Sequence, residues 1–337
     1  MKAIIITKPG GPEVLDIREV PTPQPSPHRV QVRVYAAGLN RADLLQRQGY
    51  YPAPPDAPQD ILGMEFAGEV AAVGAHVQMW QPGQRVFGIA GGGCQAEYIV
   101  AHERMLAEIP ANLSWNEAAA VPEVFITAHD ALWKLAGLAS GENVLIHAIG
   151  SGVGLAAVQL VRARGAVPYG TSRTQEKIER ARPFGLQDGM ALTDNLQPLQ
   201  EQSQQWTGGR GFDVVLDLVG GSYVPAGLEA LATKGRLVLL ASIGGRTGGR
   251  KTEIDFSVLL RKRLHVIGSV LRGRTLEEKV AVTQAFTAEV VPLLAQGKLR
   301  ATVDSEFDFT PKDIQAAHRR LESNQSFGKV IIKIARE

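Results

Sequence analysis

The stretch that decides the fold is Asn143-Val144-Leu145-Ile146-His147-Ala148-Ile149-Gly150-Ser151-Gly152-Val153-Gly154. Its first half is a short apolar run, which is the pattern of a strand buried on both faces of a parallel sheet. Its second half is rich in glycine and opens a helical stretch that reaches Gly165. A buried strand, a glycine-rich turn and a helix in this order predict a phosphate-binding turn, because glycines let a pyrophosphate approach the free N–H groups at a helix N-terminus.

The glycine pattern itself departs from the G-x-G-x-x-G consensus. Ile149 stands at the first glycine position and Ser151 at the second, so a tight strand-to-helix turn without a nucleotide is the alternative. The neighbouring sequence favours a nucleotide-binding turn, since further strand-like runs at 167–171, 213–219 and 236–240 alternate with helical stretches. This alternation indicates βαβ units and a doubly wound, Rossmann-like parallel sheet in an α/β protein.

The first 120 residues have a different composition and a different pattern of apolar residues. They are rich in Pro and Gly, and short runs such as 30–34, 66–70 and 96–100 alternate between apolar and polar residues. Glycine and proline clusters separate these runs and mark loops. This part of the chain therefore predicts a mainly antiparallel, partly barrel-like β domain.

Composition limits the classes of partner. The 337 residues suffice for roughly two domains, and 45% are hydrophobic and 21% charged. The net charge of +2 comes from 36 basic and 34 acidic residues, so we expect no nucleic acid as the main partner, which usually needs a basic stripe. No apolar run approaches the roughly 18 residues that span a bilayer, and the apolar start of the chain ends too soon for a signal-peptide core.

Cysteine and histidine usage argues against a metal site. Cys94 is the one cysteine, which excludes an intrachain disulfide and a cysteine-based zinc site. The 7 histidines include no pair at ligand spacing, so no metal is predicted. A cytoplasmic location is the default expectation for such a chain.

The end of the second predicted strand discriminates between nicotinamide cofactors. NAD enzymes usually carry an acid there, about twenty residues beyond the glycines, which binds the ribose 2′-hydroxyl. Here the strand end has no acid but has Ser172 and Arg173, with Lys177 one helical turn later. A 2′-phosphate is bound by cations and hydroxyl donors, so the sequence favours NADPH over NADH. The alternative is that both cations are merely solvated.

Several segments, in the right order, carry a resemblance to a known superfamily. They are Lys8-Pro9-Gly10-Gly11-Pro12-Glu13, Leu39-Asn40-Arg41-Ala42-Asp43-Leu44, Gly63-Met64-Glu65-Phe66-Ala67-Gly68, Ala118-Ala119-Ala120-Val121-Pro122, Ser151-Gly152-Val153-Gly154 and Gly328-Lys329-Val330. With these, the chain resembles the medium-chain dehydrogenase/reductase superfamily over essentially its whole length. The resemblance implies a GroES-like catalytic domain formed by residues 1–121 and 266–337, around a Rossmann domain at 122–265 that binds NADPH.

Within that superfamily the chain most resembles the quinone oxidoreductase family, particularly its tumour-suppressor-inducible type. The segments that carry this are 39–49 with Tyr51, 146–148, 220–223, Ser269 and Leu271-Arg272. Zinc-containing relatives have a ligand Cys where this chain has Asn40, and a His where it has Met64. The resemblance therefore implies a metal-free enzyme that reduces quinones and, as members of the family usually do, forms a homodimer.

The resemblance also implies roles for individual residues. Asn40 and Tyr51 lie near the nicotinamide and the substrate, and are the expected catalytic groups. The implied cofactor contacts are Asn40, Thr127, Gly150, Ser151, Gly152, Val153, Gly154, Ser172, Arg173, Lys177, Ser242, Ile243, Gly244, Ser269, Leu271, Arg272 and Asn324. Two positions depart from the family pattern, because Leu192 replaces a Tyr near the adenine and Arg173 replaces a common Gly.

Without a metal no Lewis acid polarises a carbonyl, so the acceptor must already be electrophilic, as quinones and enones are. Positioning against the nicotinamide then supplies most of the rate, and Asn40 or Tyr51 donates to the developing oxyanion. Tyr50 competes with Tyr51 for this role, and the final proton comes from water in the simplest version. Two alternatives stay open: an enone or 2-enoyl-thioester reductase on the same scaffold, and an NADPH-binding protein with a structural, regulatory or RNA-binding role.

Overall fold

The computed structural model describes residues 1–192, 195–241 and 252–335. Contacts divide the chain into two compact units, Met1–Ile126 with Leu271–Glu337, and Thr127–Val270. The strands are β1 (Lys2–Ile6), β2 (Leu15–Glu19), β3 (Arg29–Leu39), β4 (Glu65–Val73), β5 (Arg85–Ile89), β6 (Tyr98–His102), β7 (Leu106–Glu108), β8 (Asn143–Ile146), β9 (Val167–Ser172), β10 (Asp188–Ala191), β11 (Phe212–Asp217), β12 (Leu231–Leu239), β13 (His265–Gly268), β14 (Val303–Asp308) and β15 (Lys329–Lys333).

The α-helices are α1 (Arg41–Arg47), α2 (Trp115–Ala119), α3 (Pro122–His129), α4 (Gly152–Ala163), α5 (Gln175–Ala181), α6 (Gln197–Thr207), α7 (Tyr223–Ala230), α8 (Phe256–Lys262), α9 (Leu276–Glu289), α10 (Val291–Ala295) and α11 (Pro311–Glu322). Helix α3 continues into a π-helical segment at Asp130–Leu135. None of the helices among the described residues is both long enough and apolar enough to cross a membrane.

The first unit is built on a mostly antiparallel sheet. Its strand order is β14-β15-β3-β4-β5-β7, with β6 also paired to β3, and β1 and β2 form a separate ribbon. Among the described residues the two end strands do not pair with each other, so the sheet is antiparallel as predicted but does not close into a barrel. The central strand β3 is buried along most of its length, with Val30, Val32 and Val34 fully buried.

Three neighbouring strands, β15, β3 and β4, bring polar side chains together at one end of this sheet, which is the polar end of the first unit. Val330 of β15 pairs with Leu39 of β3, and Phe66 of β4 pairs with Ala37 of β3. The residues just beyond these pairs are Lys329, Asn40 and Glu65. Strand pairing, and not proximity in sequence, therefore places an ammonium, an amide and a carboxylate at one end of the sheet.

The second unit has the predicted α/β architecture. All of its strand pairs are parallel, in the order β10-β9-β8-β11-β12-β13. This is the Rossmann order 3-2-1-4-5-6, in which ligands bind outside the carboxyl ends of the strands at the switch point. Val144, Leu145 and Ile146 of β8 are fully buried, as the apolar run predicts.

One strand of this sheet is longer than its sequence pattern indicates. The run at 236–240 predicts a strand that begins near Arg236, whereas β12 begins at Leu231. Leu231 pairs with Phe212, but the next pair joins Arg236 to Val214, so the residues between are extra on one strand. Lys234 in this bulge has a φ of 65°, which non-glycine residues seldom adopt.

Candidate active site

Asn40, Glu65 and Lys329 form a hydrogen-bonded cluster at the polar end of the first unit. The Nζ atom of Lys329 lies 2.5 Å from Oε1 of Glu65 and donates to Oδ1 of Asn40 at 2.7 Å. The amide Nδ2 of Asn40 donates to the same Glu65 oxygen at 2.8 Å. Glu65 is fully buried and Lys329 is 4% exposed, whereas Asn40 keeps partial exposure. A buried ion pair thus supports one amide that can still meet a ligand.

Two further carboxylates lie around this cluster. Asp43 is fully buried and accepts the backbone N–H groups of Asn40 at 2.7 Å and Gly63 at 3.0 Å. Burial nevertheless raises the pKa of Asp43 to about 6, against the opposing effect of these hydrogen bonds. Glu123 keeps some solvent exposure, yet desolvation, followed by the charge of Glu65, raises its pKa to about 8. At neutral pH the first unit therefore holds a protonated carboxyl at Glu123.

Tyr51 lies against a buried guanidinium. The Cζ atom of Arg272 is 5.3 Å from the centre of the Tyr51 ring, which is within the range of a cation–π contact. Arg272 is 6% exposed and donates to the carbonyl of Gly91 at 2.7 Å and to Oε1 of Gln46 at 2.6 Å. Desolvation raises the pKa of Tyr51, and the charge of Arg272 opposes this rise. Tyr51 is thus a hydrogen-bond donor at neutral pH.

The phosphate-binding turn of the second unit has the geometry that its sequence predicts. Ser151 caps helix α4, and its Oγ accepts a hydrogen bond from the backbone N–H of Gly154 at 3.1 Å. A Cβ at Gly154 would lie 2.7 Å from the carbonyl oxygens of Ala148 and Ile149, so no side chain fits there. Ala148 just before the turn has a φ of 51°. The turn leaves the N-terminus of α4 available to an anion.

Gly150 is required for a different reason. A Cβ at this position would lie 2.8 Å from Cδ of Lys177, so the Lys177 side chain packs directly across the turn. Ser172 at the end of β9 is 8% exposed, and Arg173 after it is exposed. Lys177 thus lies across the glycine turn, and Ser172 and Arg173 stand at the carboxyl end of β9, the strand that pairs with β8. A hydroxyl and two cations are the groups that a 2′-phosphate requires.

The remaining predicted cofactor residues are distributed over both units. Thr127 is partly buried on α3, and the N–H of Ser269 bonds to the carbonyl of Leu239 at 3.0 Å. Leu271 is 9% exposed. Asn324 has a φ of 59°, and its Oδ1 accepts from Arg41 at 2.6 Å. Ser242, Ile243 and Gly244 lie outside the described residues, and the contacts of all these residues with a cofactor stay a prediction.

The histidines fall into structural and surface groups. His147 is fully buried, its Nδ1 lies 2.8 Å from Thr171 Oγ1, and burial lowers its pKa to about 3. His28 and His76, far apart in sequence, approach to 3.4 Å between Nε2 and Nδ1. No cluster of three or more His, Cys, Asp or Glu in the described part of the chain could hold a metal ion.

Sequence reasoning missed Lys329, Asp43 and Glu123 as members of the site. Lys329 and Asn40 are 289 residues apart, and nothing in the spacing of either residue pairs them. Glu123 is the one acid of its helix and directly precedes the apolar residues Val124, Phe125 and Ile126. That feature was a usable signal, since an acid within an apolar segment either carries a partner or has a shifted pKa.

Two family models match this chain, and each match lies mainly in one of the two units. Residues 26–111 match the family model of the alcohol dehydrogenase GroES-like domain, and residues 152–287 match the model of the zinc-binding dehydrogenase. A quinone oxidoreductase of Pseudomonas aeruginosa is 32% identical over 96% of this chain and 96% of its own length. The spectinabilin polyketide synthase system protein NorB of Streptomyces orinoci is 35% identical over 96% of this chain, but the chain spans only 14% of that protein.

Solved structures of quinone oxidoreductases and enoyl reductases superpose on nearly the whole of this chain. The Escherichia coli quinone oxidoreductase complexed with NADPH superposes with a TM-score of 0.86 at 30% identity, covering 99% of this chain and 100% of the other. The CurK enoyl reductase superposes with a TM-score of 0.87 at 28% identity, covering 99% of each chain. The fold, the glycine turn and these matches define an oxidoreductase of the medium-chain dehydrogenase/reductase superfamily. Within that superfamily, the chain belongs to the quinone oxidoreductase family.

The zinc-binding name of one matched family calls for a test against the residues present. Zinc is bound in proteins by Cys, His and carboxylate ligands. Asn40 and Met64 offer neither a thiolate nor an imidazole, and the Glu65 carboxylate is already paired with the Lys329 ammonium. A second cation in this place would be repelled by that ammonium, so the residues do not fit a zinc ion.

Proposed function

We propose that the protein is a metal-independent NADPH:quinone oxidoreductase. The observation that carries this proposal is that Lys177 packs across the glycine turn of the second unit, with Ser172 at the end of the strand β9 and Arg173 directly after it. The family membership and the NADPH complex of the E. coli relative support it. When bound, NADPH supplies a hydride from C4 of its nicotinamide. With one proton from the medium, a quinone is thereby reduced to a hydroquinone and NADPH becomes NADP⁺.

The residues of the second unit hold the cofactor in this proposal. The N–H groups at the start of α4 bind the pyrophosphate, and Ser151 keeps that turn in place through its bond to Gly154. Ser172, Arg173 and Lys177 bind the 2′-phosphate, whose charge calls for cations and hydroxyl donors. No acid stands at the end of β9 to prefer the free 2′-hydroxyl of NADH.

Residues of the first unit donate hydrogen bonds to the acceptor in this proposal. Asn40 and Tyr51 are its hydrogen-bond donors, and each lies beside a buried cation, Lys329 and Arg272 respectively. A donor that is already oriented stabilises the negative charge on the acceptor oxygen without reorganisation during the reaction. Because the residues do not fit a metal, an acceptor that is electrophilic without activation is required. Quinones meet that condition.

The decisive experiment is a fluorescence titration with NADPH and NADH, followed by NADPH oxidation with 1,2-naphthoquinone. Tight NADPH binding with turnover is the expected result. Tyr51→Phe should lower kcat while the Kd of NADPH stays unchanged, and the exposed Tyr50→Phe serves as the matched control. Asn40→Ala should lower kcat by a larger factor than it raises the Kd of NADPH, because Asn40 is also a predicted cofactor contact. Tight binding without turnover would refute quinone reduction, and equal affinity for NADPH and NADH would refute the roles of Arg173 and Lys177.

A second candidate reaction is reduction of an enone or a 2-enoyl thioester. The similarity to the CurK enoyl reductase and to a segment of a polyketide synthase protein favours it. The same cofactor and hydride step would serve, but the acceptor is larger. Parallel assays with crotonyl thioester, 1,2-naphthoquinone and 1,4-benzoquinone separate the two reactions, since the higher kcat/KM identifies the preferred acceptor class.

A homodimer is the proposed assembly, formed through the second unit. Strand β13 is the last strand of its sheet, and Val266 and Val270 are 45% and 53% exposed. On the adjacent helix α8, Phe256 and Leu260 are 70% and 78% exposed. An apolar edge strand is a template for pairing with another chain, and a copy of β13 related by a two-fold axis fits it.

A cytoplasmic location completes the proposal.

A further inference from the structure

We propose that Lys329 and Glu65 are positioning residues that fix the Asn40 amide, so that one of its N–H bonds is held ready for the acceptor oxygen. The cluster of side chains defined by Asn40, Glu65 and Lys329 is named here the amide clamp. This inference rests on the proposed function, because it assigns the clamp a role in reduction of the acceptor.

The orientation of the Asn40 amide follows from the chemistry of its partners. A lysine ammonium only donates hydrogen bonds, and an ionised carboxylate only accepts them. The atom that receives from Lys329 at 2.7 Å is therefore the amide oxygen, and the atom that donates to Glu65 at 2.8 Å is the amide nitrogen. A flipped amide would place its oxygen against the carboxylate and its N–H groups against the ammonium, which both partners disfavour.

The clamp is itself held in place. Besides the contacts to Asn40 and Glu65, the Lys329 ammonium donates to the carbonyl of Leu39 at 2.8 Å, so all three of its N–H bonds are used. The other oxygen of Glu65 accepts the N–H of Glu123 at 2.9 Å. The Glu65 carboxylate also packs against Gly38, where a Cβ would collide with it. Neither partner of the amide can turn without breaking several contacts.

One amide hydrogen is left for a ligand by this arrangement. The Nδ2 atom carries two N–H bonds, and one of them is donated to Glu65. Asn40 is the member of the clamp with partial solvent exposure, whereas Glu65 and Lys329 are buried. A fixed donor avoids the reorganisation that a freely rotating amide would need, and this is the property that electrostatic stabilisation of an oxyanion requires.

A double-mutant cycle tests whether Lys329 acts through Asn40. Asn40→Ala is expected to lower kcat by about 10²–10³, the typical loss of one oxyanion donor. Lys329→Met is expected to lower kcat by a similar factor, and to change the Kd of NADPH no more than Asn40→Ala does. In the Asn40→Ala background, the added Lys329→Met change should cost less than about threefold, because the two residues act as one unit. Multiplicative losses, or an NADPH complex weaker than that of Asn40→Ala, would overturn the proposal.

Lys329→Met leaves a buried carboxylate unpaired and can unfold the protein, so a neutral variant is needed. The double change Glu65→Gln with Lys329→Met removes both charges, and a glutamine can present either its oxygen or its nitrogen to Asn40. If the pair serves only charge balance, this variant regains wild-type kcat. If the pair orients the amide, kcat stays low although the variant folds.

A measurement without turnover decides the orientation separately. The side-chain amide signals of Asn40 in a ¹H–¹⁵N spectrum are the pair that disappears in Asn40→Asp. In wild-type protein we expect two well-separated signals, of which the hydrogen donated to Glu65 exchanges slowly with water, and in the neutral variant a fast-exchanging pair. Fast exchange of both hydrogens in the wild type would refute the clamp. A wild-type enzyme that shows a fixed amide but reduces no quinone would instead refute the proposed function.

Discussion

The backbone N–H of Glu123 donates to Oε2 of Glu65 across 2.9 Å, so the main chain of Glu123 holds the Glu65 carboxylate in place. The Glu123 side chain then lies among carboxylates in a desolvated setting, and its pKa is raised to about 8 by desolvation and by the charge of Glu65. The result is a proton retained at neutral pH, in the unit that also carries Asn40 and Tyr51.

This retained proton makes the stability of the protein depend on pH. Because the folded pKa of Glu123 is near 8 and its ordinary value is 4.5, the folded state binds the proton more tightly than the unfolded chain. The stabilisation is complete below the unfolded pKa and is lost as pH rises through the folded pKa. Between pH 6 and 8 we expect this group to lower the free energy of unfolding by up to about 1.4 kcal/mol per pH unit.

Urea unfolding at pH 6, 7 and 8 measures this effect as the difference between wild type and Glu123→Gln. The pKa of Asp43 is raised to about 6, so Asp43 still titrates at the lower end of this range. It does so in both proteins, and its contribution cancels in the difference. Glu108→Gln, at an exposed carboxylate, is the control. Parallel pH profiles for wild type and Glu123→Gln would show that Glu123 holds no such proton.

Two glycines of the phosphate-binding turn are expected to respond differently to alanine. At Gly154 the new Cβ meets carbonyl oxygens of the main chain, and at Gly150 it meets the flexible end of Lys177. Gly154→Ala should therefore cost about 1–3 kcal/mol of stability and abolish NADPH binding. Gly150→Ala should fold normally but displace Lys177 and reduce the preference for NADPH over NADH. Urea unfolding and cofactor titration, applied to both variants, test the contrast, and equal behaviour would contradict it.

The cations near the predicted 2′-phosphate site should raise the affinity for NADPH and leave the affinity for NADH unchanged. Arg173→Ala and Lys177→Ala are each expected to weaken NADPH by about tenfold or more, the usual size of a lost hydrogen bond to a charged group. NADH affinity should not change, because NADH lacks the phosphate. Arg180→Ala, which removes an equal charge further along α5, is the control. A parallel loss for both cofactors would place these cations elsewhere.

Charge on the apolar surface of the second unit should separate the subunits of the proposed dimer. Leu260→Glu places a carboxylate at a side chain that is 78% exposed in the single chain, and burying that charge between subunits would be unfavourable. Light scattering after size-exclusion chromatography should show a dimer for wild type and a monomer for the variant. Gln200→Glu on an exposed position of α6 is the control. A wild-type monomer at micromolar concentration would rule out the dimer.

Local patterns were sufficient for part of the molecule. The strand, turn and helix around residues 143–165 follow from burial, glycine placement and the Ser151 cap, all of which act over a few residues. The parallel sheet follows from the alternation of such units. The amide clamp could not be predicted in this way, because it depends on β15 pairing with β3 across most of the chain, and a sequence pattern carries no direct record of that register.

Charged residues show the same limit. Arg272 follows β13 in sequence, and the resemblance predicts that it contacts the cofactor. Its guanidinium bonds to Gly91 and Gln46 within the first unit. The assignment to the cofactor stays a prediction. His28 and His76 have no sequence relationship, yet two loops bring their rings to 4.9 Å between centres. In both cases tertiary packing chooses the partner, and spacing along the chain says nothing about it.

The proposed acceptors, quinones and enones, are alkylating agents that consume exposed thiolates, so an enzyme that reduces them risks its own inactivation. The single sulfhydryl of this chain, Cys94, is fully buried. Its pKa is raised well above the ordinary value, by desolvation first and then by Asp43 and other nearby acids, so the unreactive thiol form persists. A catalyst built this way is expected to survive prolonged work on electrophiles without protective reductants, and its useful lifetime is then limited by unfolding and not by arylation.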